Sequence, residues 1–351
     1  MRKILLPLLA MAAALPLAAQ TYDAPESIEL DASNNRWLIS NKGAGEILAR
    51  DRATGALTVF TSLPSNPHGL EIMDTVLYVC DGARIRGYGL VSASEVFNLS
   101  LGATFLNGIT HDASGNLFAT DFTAKKIYRI HPADSSFNVF ATGLTKSPNG
   151  IYYDGANNRC VFVNWGTSAN IMQVSLLDSS VSVVKATTLS NIDGITRDGA
   201  GNWFVASWGI NGISMFDPDF TTGPGTVVTG LSSPADIAYD VATDTLASPN
   251  SGAALNNCTF HYMGGVVRTA PALAEQQVKV GPSPNEGLLH LYSPAQFIGE
   301  PFAILDANGQ AVLHGKISAE ETAVDVNSLP GGHYLISLRE GRDFIRFTIL
   351  L

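Results

Sequence analysis

The sequence repeats itself about every 42 residues, and this period limits the fold more than any other feature. Four segments are alike: Glu26-Ser-Ile-Glu-Leu-Asp31, Asn107-Gly-Ile-Thr-His-Asp112, Asn149-Gly-Ile-Tyr-Tyr-Asp154 and Asp193-Gly-Ile-Thr-Arg-Asp198. Each opens on a polar residue, passes a small and an aliphatic one, and reaches Asp five places on. A small polar turn follows, such as Ala113-Ser-Gly-Asn116. A short apolar run comes next, such as Leu117-Phe-Ala-Thr120 or Trp203-Phe-Val-Ala206. Weaker copies begin at His68 and Ala235. The six first positions are 26, 68, 107, 149, 193 and 235, spaced 42, 39, 42, 44 and 42 residues apart.

Each unit reads as four short strands between Gly, Asn and Asp turns. Third strands are visible as Glu46-Ile-Leu-Ala49 and Lys126-Ile-Tyr-Arg-Ile130. Fourth strands are visible as Leu57-Thr-Val-Phe60 and Phe137-Asn-Val-Phe140. Four strands in about 40–45 residues make one propeller blade. Six copies therefore predict an all-β chain with a six-bladed β-propeller over residues 21–267. A solenoid would need capping ends and a different number of strands per repeat. With 33 Gly and only 15 % charged residues, the composition also argues against a coiled coil.

The formal charge is −10, and no basic stripe is present to neutralise phosphates, so nucleic acid is excluded as the main partner. Three cysteines exclude a disulfide scaffold. Cys80, Cys160 and Cys258 belong to alternate blades and are expected to be buried free thiols. Residues 1–20 read as a signal peptide: Arg2 and Lys3, an apolar run from Ile4 to Ala19, and small residues before Gln20. The alternative, a retained anchor, needs a longer apolar run. No other segment approaches membrane-spanning length, so the mature chain is expected to be exported, without a transmembrane segment, and monomeric.

In a propeller the first strand of each blade lines the central channel. The six first positions then form one ring at its mouth: Glu26, His68, Asn107, Asn149, Asp193 and Ala235. Two carboxylates and two amide oxygens at one point suit a hard cation, Ca²⁺ best, with another divalent ion as the alternative. The competing explanation is turn chemistry, since Asn or Asp before Gly is a common turn former. Glu26 has no Gly after it and fits the metal better. The second strands return to the same face and end at Asn41, Asp81, Asp121, Asn164, Ser207 and Asn250. Phe122, Trp165 and Trp208 directly follow three of these. With Asn164 they are candidate substrate contacts, a mouth of aromatic rings over a polar floor. Covering blade edges is the alternative role for those rings. Asp31, Asp112, Asp154, Asp198 and Asp240 fall at the opposite face and read as turn formers. His111 and His131 lack metal-ligand spacing and read as structural or exposed.

At these residues the chain resembles the calcium-dependent six-bladed propellers, the gluconolactonase, senescence marker protein and paraoxonase-like superfamily. The resemblance implies a metal held by Glu26, Asn149 and Asp193, with Asn107 a further ligand or a substrate contact. Asn66-Pro-His-Gly69 is similar to the paraoxonase segment that holds an active-site histidine. This implies His68, or Asp193, as the base for attack of water on a small lactone or ester. Ala235 leaves a gap in the ring, with Asp236 where other blades have Gly. Blade 2 has Met73 where others have Asp. The alternative function is a non-catalytic cell-surface propeller that binds a protein or glycan.

The repeat stops near Met263. Residues 268–277 read as a linker and 278–351 as a small β-sandwich. Pro282-Ser-Pro-Asn285, Asp306-Ala-Asn-Gly309 and Leu329-Pro-Gly-Gly-His-Tyr334 resemble the Bacteroidetes type IX secretion C-terminal sorting domain. The resemblance implies the type IX secretion machinery as a partner of residues 278–351. It also implies release or attachment at the outer-membrane surface. An ordinary immunoglobulin-like module is the alternative.

Overall fold

The structure, a computed structural model, describes residues 20–263, 279–283, 288–293, 295–305, 311–330, 332–338 and 343–349. Residues 1–19 of the expected signal peptide, the whole of the expected linker 268–277, and the Asp306-to-Gly309 turn lie outside the described residues. So does part of the Pro282-to-Asn285 segment.

Residues 25–262 fold as six antiparallel sheets in sequence order. Blades 1 to 5 have four strands each, and three are described for blade 6. The innermost strands are Pro25–Asp31, Pro67–Met73, Leu106–His111, Pro148–Asp154, Ile192–Arg197 and Ala238–Asp240. Each packs beside the next, and blade 6 returns to blade 1, which closes the ring. The period of about 42 residues therefore corresponds to one up-and-down sheet per repeat, as the spacing predicts.

The core explains the aliphatic residue in each repeat. Six apolar clusters lie between successive blades, and each contains one of Ile28, Leu70, Ile109, Ile151, Ile195 and Ile237. Burying such side chains on both sheet faces is the main driving force for the ring. Blade 6 joins blade 1 through Trp37 against Phe260, ring centroids 5.5 Å apart, and through Arg50 stacked over Phe260. The three cysteines are free, as expected, with Cys80 and Cys160 buried.

The aspartates at the far face act as turn formers and more. Asp112 accepts from the Ser114 and Asn116 amides at 2.9 Å, and Asp198 accepts from Ala200 and Asn202. Asp154 also binds Arg159 of its own blade at 2.8 Å and Arg197 of the next at 3.1 Å. Asp240 of blade 6 pairs with Arg52 of blade 1. The turns are thus tied across blades by charge. His131 binds Asn116 at 2.6 Å, a structural role.

The C-terminal residues form a second β unit. One sheet contains Lys279–Ser283, Leu288–Tyr292 and Glu321–Asp325. The other contains Ala311–Lys316, Pro301–Leu305, Gly332–Leu338 and Asp343–Ile349. Leu289, Leu291 and Val324 of the first share one core with Phe302, Ile304, Tyr334 and Ile336 of the second. Among the described residues no helix is long and apolar enough to cross a membrane.

Candidate metal and substrate site at the propeller mouth

The inner strands of blades 1 to 5 carry Glu26, His68, Asn107, Asn149 and Asp193, Ala235 lies three residues before the inner strand of blade 6, and none of the six is more than 5 % exposed. In five blades the strand register breaks there: between Pro25 and Ser27, Pro67 and Leu70, Leu106 and Ile109, Pro148 and Ile151, Ile192 and Ile195. A bulge bends its strand and re-aims one side chain. These residues therefore sit within strands, and turn chemistry is not the reason they recur.

The following Gly has a different cause, close approach of neighbouring blades. A β-carbon on Gly108 would lie 2.6 Å from the Asn149 carbonyl oxygen. Gly69, Gly150 and Gly194 meet the next blade in the same way. Blades 1 and 6 replace Gly by Ser27 and Asp236. Ser27 Oγ donates to Asp236 Oδ2 at 3.1 Å, and the Asp236 amide donates to the Glu26 carbonyl at 2.9 Å. The gap at Ala235 is thus the point where the ring is closed by hydrogen bonds.

The ring is electrostatically unbalanced. Asn149 Oδ1 and Asp193 Oδ1 are buried and receive no hydrogen bond. Burial holds the Asp193 carboxyl well above the usual range, and Glu26 and Asp236 push it further. Lys42 and the Trp208 indole act in the opposite direction. Asp236 is pushed up to about 7, chiefly by burial, against its hydrogen bond from Ser27. Glu29 and Glu71 lie further along the same inner strands. Burial raises both, and each feels other groups: Glu71 and Asp236 act on Glu29, and His111 opposes the rise at Glu71. His111 Nδ1 lies 2.5 Å from Glu71 Oε1, a channel partner rather than an isolated exposed side chain.

These residues fit a divalent cation. Two donor-less buried oxygens and a disfavoured carboxylate want a positive charge, and the donors are hard oxygens. Among the described residues no group of three or more His, Cys, Asp and Glu side chains could hold a metal by itself. The candidate set depends on the amides of Asn107 and Asn149 as well as on Glu26 and Asp193.

His68 is buried, and burial lowers its pKa against the opposing pull of Glu26. Its Nδ1 lies 3.0 Å from the Asn66 carbonyl oxygen. A carbonyl only accepts, so Nδ1 holds the proton and Nε2 keeps its lone pair. The imidazole meets Phe105 edge-on, centroids 4.7 Å apart. From there the aromatic contacts continue, Phe105 to Phe122 at 5.6 Å, Phe122 to Trp165 at 6.0 Å and Trp165 to Trp208 at 5.0 Å. The candidate rings thus form one half-buried arc across blades 2 to 5. Phe105 lies just before an inner strand, outside the repeated segments, and carries no sequence signal.

The polar ends of the second strands do something else. Asp81 accepts from the Ser65 and Asn66 amides, Asp121 from Thr104 and Phe105, and Asn41 from Asp23. Ser207 donates to the Ser190 carbonyl, and Asn250 accepts from Ser232. They clasp the loops that lead into the inner strands, and this accounts for their recurrence. Asn164 is buried beside Trp165 at the equivalent place. The residue after each clasp lines the mouth: Lys42, Gly82, Phe122, Trp165, Trp208 and Ser251. Lys42 Nζ lies 2.8 Å from Glu26 Oε2, and Ser251 Oγ donates to the same oxygen at 3.0 Å. Sequence reasoning missed Lys42, although it shares a repeat position with Phe122.

Residues 279–349 match the secretion system C-terminal sorting domain. No curated protein matches the sequence. The fold is similar to a gluconolactonase of Xanthomonas campestris, with 17 or fewer residues in a hundred shared: 16 % identity, TM-score 0.57, 66 % of this chain and 84 % of that one. It is similar to a calcium-binding protein, regucalcin, of Agrobacterium tumefaciens at 17 % identity, TM-score 0.56, covering 66 % and 83 %. A chain of a nidogen/laminin complex is similar at 17 % identity, TM-score 0.50, covering 57 % and 79 %. At these identities the likeness shows the propeller fold alone. The sorting domain makes this a secreted or surface-attached propeller.

Proposed function

We propose that the secreted propeller is a divalent-cation-dependent hydrolase of small organic esters or lactones, with calcium as the natural ion. The observation that carries this reading is the pair of buried, donor-less oxygens, Asn149 Oδ1 and Asp193 Oδ1, in a ring that also holds Glu26. Glu26, Asn107, Asn149 and Asp193 would hold the ion. When bound, it would supply Lewis acidity at the carbonyl oxygen.

The chain's own residues do the remainder. His68, kept neutral by burial and fixed in its tautomer by Asn66, takes a proton from water at Nε2. Asp193 is the second candidate for this role. Phe122, Trp165, Trp208 and Asn164, together with Phe105, bind the organic part, and the arc favours substrates with a planar or apolar face. Export uses residues 278–351 through the type IX machinery, after removal of residues 1–20. The propeller is taken as residues 21–267, of which 264–267 lie outside the described residues.

The test is metal analysis of the purified protein, followed by a lactone and ester panel with and without chelator. Bound calcium and chelator-sensitive turnover, both lost in Glu26→Gln, are the expected results. A metal-free protein without turnover across the panel returns the chain to the alternative, a surface propeller that binds a protein or glycan.

A further inference from the structure

Lys42 is a charged group at the mouth that the hydrolase reading leaves without a role. It stands directly after the second strand of blade 1, where three other blades present an aromatic ring to the mouth. Its ammonium contacts Glu26, whose side chain is 7 % exposed, while its own side chain is 30 % exposed. It also acts electrostatically on Asp193 and on His68, so its charge is felt across the ring. Yet it satisfies one oxygen only. Asn149 Oδ1 and Asp193 Oδ1 stay without donors.

We propose that Lys42 is a resident counter-ion that competes with the divalent cation for Glu26 and so sets the metal affinity of the mouth. This rests on the metal reading given above. The Lys42 ammonium already occupies one oxygen of a carboxylate that a dication in the ring would need. The ion and the ammonium need the same Glu26 carboxylate. A lysine can resolve that conflict, because its flexible four-carbon stem lets the ammonium withdraw to water from a half-exposed position. Ser251 Oγ, already on Glu26 Oε2, keeps that oxygen partnered when the ammonium leaves. The site would then bind calcium reversibly rather than permanently, and occupancy would follow the external concentration.

The experiment is calcium titration by calorimetry of the full mature chain, comparing wild type, Lys42→Met, Lys42→Gln and Lys42→Arg, each checked for fold by circular dichroism. Removing a like charge a few ångströms from a dication is expected to tighten binding by at least about tenfold in Lys42→Met and Lys42→Gln. Lys42→Arg keeps the charge and should stay near wild type. In chelator the neutral variants should melt below wild type, and calcium should raise their midpoints by more. Equal or weaker calcium affinity in both neutral variants overturns the role of Lys42 and leaves the metal site standing. Absence of calcium binding in every protein overturns this proposal and the metal reading together.

Discussion

The Asp193 carbonyl oxygen lies 2.7 Å from the point where a β-carbon on Gly150 would stand. The backbone of blade 5 is therefore packed onto the backbone of blade 4 beside the axis, with no room for a methyl group. The contact fixes where Asp193 enters the mouth. Gly150→Ala should force the two inner strands apart, and overpacking of this kind costs about 1–3 kcal/mol. The melting midpoint should fall by roughly 2–4 °C for each kcal/mol in a domain of this size. Calcium binding should weaken with it, since Asp193 and Asn149 would both move. A Gly150→Ala protein with wild-type midpoint and calcium affinity would show that the blades are not wedged together here.

That relationship also shows how much the sequence discloses. The Asn-Gly and Asp-Gly pairs are legible as a ring because one repeat phase places them alike. Their cause is not legible, since the same dipeptides make turns, and only the bulges and the axial approach of Gly150 decide between the two. Recurrence by itself assigns no role to Asp81 and Asp121. A loop clasp and a ligand recur with the same period, and only the amides of Asn66 and Phe105 on those carboxylates tell them apart. Phe105 and Lys42 were missed for opposite reasons. Phe105 lies in a connection with no repeat pattern. Lys42 occupies a patterned position with a residue of the wrong chemistry, and its meaning appears only when Glu26 is seen 2.8 Å away.

Asp193→Asn tests the electrostatic argument. Burial and the neighbouring carboxyls of Glu26 and Asp236 make the charged form of Asp193 costly without a cation. A neutral side chain of the same shape should therefore be at least as stable as wild type in chelator near pH 8. Added calcium should reverse the order. An ion at a hundred times its dissociation constant stabilises by about 2.7 kcal/mol, and Asp193→Asn should forgo that gain. Thermal melts with and without calcium give both comparisons. Lower stability of Asp193→Asn in chelator would mean that the carboxylate serves another partner.

Asp236 sets a pH dependence of defined sign. Its folded pKa is raised from 3.8 to about 7, by burial first and then by Glu26 and Glu71, with Glu29 also in reach. Between these two values the folded chain holds a proton that the unfolded chain has lost. Stability from this group is therefore complete below about pH 4 and is lost as pH rises through about 7. Glu29 and Glu71 act in the same direction, while buried His68, with its lowered pKa, acts in the opposite one. The difference between wild type and Asp236→Asn isolates the single group. In chelator, wild type should lose midpoint relative to Asp236→Asn as pH goes from 4 to 8. Parallel profiles would place the proton elsewhere.

The aromatic arc separates substrates by their apolar surface. Trp165 stands at its centre, 6.0 Å from Phe122 and 5.0 Å from Trp208. Removing its ring takes away one wall from any planar group lying on the arc. A loss of roughly 1.4 kcal/mol of contact is a tenfold weakening. Trp165→Ala should therefore raise KM for an aryl ester about tenfold and leave a small polar lactone nearly unaffected, with kcat changed little for either. Tryptophan fluorescence gives a second measurement without turnover. Trp37 and Trp203 are buried between blades, at 3 % and 0 % exposure, so an aryl carboxylate at the mouth should quench Trp165 and Trp208 alone. Double replacement of Trp165 and Trp208 should abolish that quenching. Equal losses for polar and aryl substrates would instead give the arc a purely structural role, as cover for the blade edges of blades 3 to 5.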